Sequence, residues 1–317
     1  MRSTGTRSTD TPHCRANPPP RFTKPADRPI HSAAEGPCRL LRADHHRDED
    51  ASTHNPYERP RTDHRERRIR KLAGKAIGDF GLIRNNDRIL VALSGGKDSW
   101  TLLRVLSRLK ERAPISFTLV AVTVHTGFPG FQTDLIEAYL QQQGYDYRIV
   151  RAPIHELMLE KLGPDDTPCS FCARMKRGVL YTQARELDCT KIALGHHRED
   201  FIETLLLNQF YNGKIKAMSP LLNADDGRNI VIRPLVYVPE DEIIRYASGA
   251  GFPITCCACP ACGDQDLKRN RIKELLSTLE REQPGIKASL LAALGAVDLR
   301  HLLIRKALSE ASLHDLP

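Results

Sequence analysis

Three groups of residues in this chain have types and spacings suited to chemistry. The first, Ser94-Gly95-Gly96-Lys97-Asp98-Ser99, follows an apolar run from Ile89 to Leu93 and precedes Trp100, Leu102, Leu103, Val105, Leu106 and Leu109 at helical intervals. A strand, a glycine turn and a helix start leave backbone N–H groups at the positive end of a helix dipole, and the glycines let an anion come close. Lys97 adds a cation and Asp98 a carboxylate suited to Mg2+, so the chemistry is phosphate binding. The second, Gly195-His196-His197-Arg198-Glu199-Asp200, ends another apolar run. It offers His196, beside His197, for nucleotide contact and Asp200 as a further acid. The third is cysteine: a Cys-x-x-Cys pair, Cys169 and Cys172, and a late group of Cys256, Cys257, Cys259 and Cys262. That density is hard to explain as core filler. In a chain with no secretory signal it points to metal or redox chemistry, and spacing alone admits either zinc or an iron–sulfur cluster.

These residues need a scaffold, and the hydrophobic pattern supplies one. "ERRIRKLAGKAIGDF" reads as a helix, "RILVALS" as a buried strand, and residues 99–112 as a helix. "FTLVAVTVH", "YDYRIVRAP", "TKIALGHH" and "NIVIRPLVYV" read as further strands, with helices in "DLIEAYLQQQG", "KRGVLYTQARELDC" and "EDFIETLLLNQFYNG". Alternation of this kind predicts an α/β fold, a doubly wound, mostly parallel sheet with a cysteine-bearing helical C-terminal part. In such a sheet ligands bind beyond the carboxyl ends of the strands, where both polar motifs fall. Residues 1–62 are Pro-, Arg-, His- and Asp-rich without apolar periodicity and are expected to be a disordered extension. Residues 63–240 would form the phosphate-binding α/β domain and 241–317 the helical segment carrying the late cysteines.

Composition narrows the partners. Lys and Arg exceed Asp and Glu, 47 against 39, which favours a polyanion. No stretch is long and apolar enough to suggest a membrane span, so a cytoplasmic protein without a membrane partner is expected. Arg174, Lys176 and Arg177 follow the first cysteine pair and Lys268, Arg269 and Arg271 the late group, which favours RNA phosphate contacts.

The turn is neither of two common phosphate loops: position 91, where a Walker A glycine would fall, is Val, and Asp98 and Ser99 interrupt a dinucleotide pattern. It resembles instead the signature of the PP-loop ATP pyrophosphatases, which have a HUP-like fold and cleave ATP between its α and β phosphates. With "CSFCARMKRG", "KIALGHHRED", "IVIRPLVYV" and "CPACGDQ" in the same order, the chain from about residue 70 to about 290 resembles the tRNA 2-thiocytidine synthetases. The resemblance implies ATP, Mg2+ and a [4Fe-4S] cluster held by three cysteines, with the fourth iron open to sulfide. Ser94 to Ser99, His196 and Asp200 would bind ATP, and Cys169, Cys172 and Cys259 the cluster. Aligned from "CGDQ", Cys259 is the third ligand and Cys262 its companion; aligned from "FPI", Cys257 takes that place. Lys97, Asp98, Cys169 and Cys172 would carry catalysis.

The expected activity is 2-thiocytidine formation in the tRNA anticodon loop through an adenylated base, with a cysteine desulfurase or other sulfur donor as partner. A homodimer is implied by the resemblance alone. Two other readings fit the same motifs: a tRNA 2-thiouridine synthetase of similar build, and a zinc-stabilised RNA-binding module with a vestigial nucleotide site. Cys189 reads as a small buried residue. His125 stands where the family usually has an acid, either as a substitute for it or as the packed end of a strand.

Overall fold

The structure is a computed structural model and describes residues 61–163, 168–224, 226–255, 259 and 267–303. Cys14, Cys38, Cys256, Cys257 and Cys262, and the extension up to residue 60, lie outside the described residues. Helix α1 (Arg61–Asp79) leads into β1 (Asp87–Ala92), α2 (Lys97–Lys110), β2 (Phe117–His125), α3 (Thr133–Gln142) and β3 (Tyr147–Arg151). There follow α4 (Ile154–Lys161), α5 (Pro168–Glu186), β4 (Lys191–Ala193), α6 (Arg198–Asn212), β5 (Leu221–Asn223) and β6 (Ile230–Ile232). The described chain ends with α7 (Glu240–Ala247), α8 (Leu267–Glu282) and α9 (Ile286–Ala293).

The sheet has the order β3-β2-β1-β4-β6-β5, parallel except for the β5–β6 edge pair. Successive strands β1, β2 and β3 run outward in one direction, and β4 is placed on the other side of β1. The order therefore reverses between β1 and β4, the position where open α/β sheets bind ligands. Alternating side chains of β1 serve both faces: Ile89 and Val91 join the core with α1, α2 and α7, and Leu90 joins Val120, Ile192 and Ala184 of α5.

Two segments depart from the strand pattern. "NIVIRPLVYV" is extended only over Ile230–Ile232, after which Pro234 has no N–H to continue the ladder and Leu235, Val236 and Val238 are buried in turns. Helix α5 starts before the periodic "KRGVLYT", with Pro168 in its first turn, so Cys169 and Cys172 lie on a helix and not in a loop.

Trp100, 1% exposed, anchors the segment after α7: it meets Tyr139 edge-on, stacks on Phe252, and donates Nε1–H to Pro253 O at 3.2 Å. Burying an indole of this kind is worth a gross ~4–6 kcal/mol. At the amino ends of the strands Lys191 Nζ pairs with Asp87 at 2.7 Å and donates to Leu82 O at 2.8 Å. Asp87 also accepts from Thr190 Oγ1 at 2.7 Å and Arg84 N at 2.6 Å, and these bonds hold its carboxyl below the usual range against the opposing effect of burial. No helix among the described residues is long and apolar enough to cross a membrane.

Candidate active site

The two polar motifs meet at the carboxyl ends of β1 and β4. Gly95 sits at φ +85°, and Gly96 begins α2 with no side-chain cap, so the first-turn N–H groups face the turn. Ser99 Oγ donates to Gly96 O at 2.9 Å and accepts from Ser94 N at 3.2 Å, which fixes the loop. A Cβ on Gly95 would lie 2.2 Å from Thr255 Oγ1, and one on Gly195 would lie 3.1 Å from the backbone of Asp98 and Ser99. The glycine that opens "GHHRED" thus exists to let the β4 loop touch the phosphate turn. Thr255 N donates to Gly95 O at 3.0 Å, tying the start of the late cysteine segment to the same turn.

Charge is concentrated around this turn. Lys97 Nζ lies 3.1 Å from the Asp98 carboxylate and 3.0 Å from Glu240 Oε1. Burial works against the ammonium, but these two acids outweigh it and raise its pKa. His197, whose side chain is 5% exposed, has Nε2 3.9 Å from Asp98, 3.5 Å from Asp200 and 3.6 Å from Glu240, and Nδ1 3.5 Å from Glu199. Burial opposes its protonation, yet these carboxylates win and raise its pKa. Glu199 is buried, which alone would raise its pKa. The bonds from His197, from Arg198 at 2.7 Å and from Glu240 N at 2.8 Å overcome this and bring it down to about 2. Asp200 Oδ2 accepts from His197 N at 2.9 Å and so closes the start of α6. Asp98 Oδ1 is buried and receives no well-directed hydrogen bond, an orphan that a divalent cation beside Asp200 would satisfy. ATP phosphates and Mg2+ therefore fit the residues present.

His196 has a different main partner. Its Nδ1 accepts from Arg233 Nε at 3.1 Å, and burial followed by the nearby guanidinium charge lowers its pKa to about 4 despite the opposing pull of Asp200. Arg233 is buried, with NH1 donating to Ser219 O at 2.5 Å.

The cysteines lie beyond the carboxyl end of β2. Cys172 packs with Val124, Phe128, Ile154, Met158 and Phe171, and Cys259 lies against the same apolar cluster. Cys169 is exposed, three residues before Cys172 on α5. Among the described residues no group of three His, Cys, Asp or Glu side chains is set to hold a metal, so Cys172 and Cys259 are brought to one cluster without a finished triad. Their thiol chemistry matches an iron–sulfur cluster. His125 Nδ1 accepts from Gly127 N at 3.2 Å and its ring lies against Phe131, the packed end of a strand. Cys189 is half-buried, and burial raises its thiol.

Several site residues escaped the sequence reading. Glu240 carries no motif of its own, since acids in the first turn of a helix are ordinary, and Glu199 and Arg233 lie inside quoted motifs without a role assigned to them. The available signal was Pro239 before an acidic run, a helix start aimed back at the phosphate turn. Of the basic residues, Arg174 lies over the Phe171 ring, and Arg269 approaches buried Glu203 at 3.5 Å with Lys273 at 3.8 Å.

Residues 61–279 match the family model of the PP-loop domain. The chain is 54% identical over 239 residues to the tRNA-cytidine(32) 2-sulfurtransferase of Geobacter sulfurreducens, covering 75% of this chain and 93% of that protein. It is 52% identical over 242 residues to the protein of the same name from Geobacter metallireducens, covering 76% and 94%. Among solved structures, the U34-tRNA thiolase NcsA from Methanococcus maripaludis with its [4Fe-4S] cluster matches in fold with a TM-score of 0.61 at 24% identity, over 76% of this chain and 80% of that one. With its glycine turn and "GHHRED" loop meeting at the strand ends as described, the chain belongs to the PP-loop domain family and, within it, to the tRNA-cytidine(32) 2-sulfurtransferases.

Proposed function

We propose that the protein replaces the 2-oxygen of a cytidine in the tRNA anticodon loop by sulfur at the expense of ATP. The observation that carries this reading is that the phosphate turn with its carboxylates follows β1 while the Cys172–Cys259 cluster includes Val124 near the carboxyl end of the adjacent parallel strand β2. Oxide is a poor leaving group, so the base oxygen must first be activated. Its attack on the α-phosphate expels pyrophosphate and leaves AMP on the base. The amides of Ser94–Ser99 and Lys97 bind the phosphates and neutralise the departing charge. Asp98 and Asp200 would hold Mg2+, and Lys97 exchanges its carboxylate partners for phosphate. Cys169, Cys172 and Cys259 would hold the cluster, which when bound supplies an open iron position for the incoming sulfur. Arg174, Lys176 and Arg177 on α5 are placed next to these cysteines for RNA phosphates. A sulfur donor and a second copy of the chain are the expected partners, in the cytoplasm.

The test separates the two halves of the site. Cys169→Ala is expected to remove iron, acid-labile sulfide and thiolation while ATP binding persists. Lys97→Ala is expected to keep the iron and lose activity through weakened ATP binding. Retention of both iron and activity in Cys169→Ala would defeat the cluster assignment, and stoichiometric zinc with no iron would favour a binding module.

A further inference from the structure

We propose that Arg233 is a positioning residue that fixes His196 as a hydrogen-bond donor, through Nε2–H, to a phosphate oxygen of ATP. This rests on the ATP-dependent reading above. Arg233 Nε carries a hydrogen at every accessible pH and lies 3.1 Å from His196 Nδ1. A hydrogen on Nδ1 would set two donors against each other, and an imidazolium would add repulsion from a buried guanidinium. Only the neutral ring with its hydrogen on Nε2 satisfies the contact. Arg233 cannot turn away cheaply, because it is buried and its NH1 is held by Ser219 O at 2.5 Å.

With Nδ1 taken by Arg233, the hydrogen on Nε2 is the one His196 can offer to a ligand. The ligand follows from position. His196 is adjacent to Gly195, which packs on the Asp98–Ser99 backbone where the phosphate turn enters α2. Its neighbour His197 is surrounded by four carboxylates, whereas His196 takes its Nδ1 contact from Arg233, with Asp200 still near enough to act on it. A fixed neutral donor is suited to stabilising charge that grows on phosphate oxygen as pyrophosphate leaves, and it has no proton to lose or gain in the step.

Long-range proton–nitrogen NMR of histidine-labelled protein at neutral pH should show His196 with hydrogen on Nε2 and none on Nδ1. Hydrogen on Nδ1, or on both nitrogens, would overturn the proposal. Arg233→Lys keeps a charge but cannot present Nε–H, and should give a mixture of tautomers with a lower kcat; an unchanged tautomer and rate would remove Arg233 from the role. His196→Ala should slow tRNA-dependent pyrophosphate release by about 10²-fold, the usual loss for one donor. His196→Gln places an amide N–H near the Nε2 position and should recover most of it; a general acid or base would be lost equally in both. If the parent chain releases no pyrophosphate with ATP and tRNA, the thiolation reading fails and the phosphate contact with it, while the tautomer measured in the same protein still decides whether Arg233 fixes His196.

Discussion

Strands β1 and β4 carry buried charge at both ends, and the two ends are built differently. At the amino ends Lys191 and Asp87 are closed upon themselves, with Leu82 O, Thr190 and Arg84 N completing the set. At the carboxyl ends Asp98, Glu199, Asp200 and Glu240 crowd one lysine and one histidine, and Asp98 Oδ1, with Lys97 Nζ at 3.1 Å, receives no well-directed hydrogen bond. A satisfied pair holds strands together. An excess of one sign held in place by the fold is an arrangement suited to a bound cation.

The sharpest way to break this contrast is Lys191→Met. It strands Asp87 as a lone buried carboxylate and should destabilise the protein by about 3–5 kcal/mol in urea unfolding, with Asp87→Leu added recovering much of the loss. Loss of ATP affinity in the folded fraction would contradict the purely structural role of that end.

Glu203→Gln tests the connection between α6 and α8. Burial, with Asp200 and Glu240 adding to it, raises the Glu203 carboxyl to about 7 despite Lys273 and Arg269. Its folded pKa exceeds its unfolded one, so the native state binds the extra proton between pH 4.5 and about 7, and stability falls as pH rises through that window. The glutamine variant should match the parent near pH 4.5 and exceed it by about 1–3 kcal/mol at pH 8. An equal difference at both pH values would show that the carboxylate is not strained.

The smallest change is expected at Glu240→Gln. Lys97 keeps Asp98, so unfolding free energy should move by less than about 1 kcal/mol, while calorimetry should show ATP binding a few-fold tighter with one less acid competing for the ammonium. Weaker binding would mean that Glu240 serves the ligand directly.

The parts legible in the sequence are those where chemistry and local structure coincide. "SGGKDS" must follow a strand and start a helix, and the pattern around it says so. Cys169 and Cys172 are neighbours in sequence and lie one turn apart on α5. Glu240 and Glu199 are site residues only because α7 and α6 begin at the same place, a meeting set by the packing of α7 on α1 and α2. Strand β6 ended early because Pro234 overrode an otherwise continuous apolar run. Arg233 lay in that same run, where nothing local distinguishes a ladder residue from one that orients a histidine.

The bond from Thr255 N to Gly95 O has a thermodynamic meaning. It ties Thr255, four residues before Cys259, to the phosphate turn, a contact through which binding on one side could alter binding on the other. Such effects are reciprocal: by whatever factor ATP alters the retention of a group on Cys259, that group alters ATP affinity by the same factor. Under the proposed function, any such factor would link sulfur loading and nucleotide loading in one closed thermodynamic cycle.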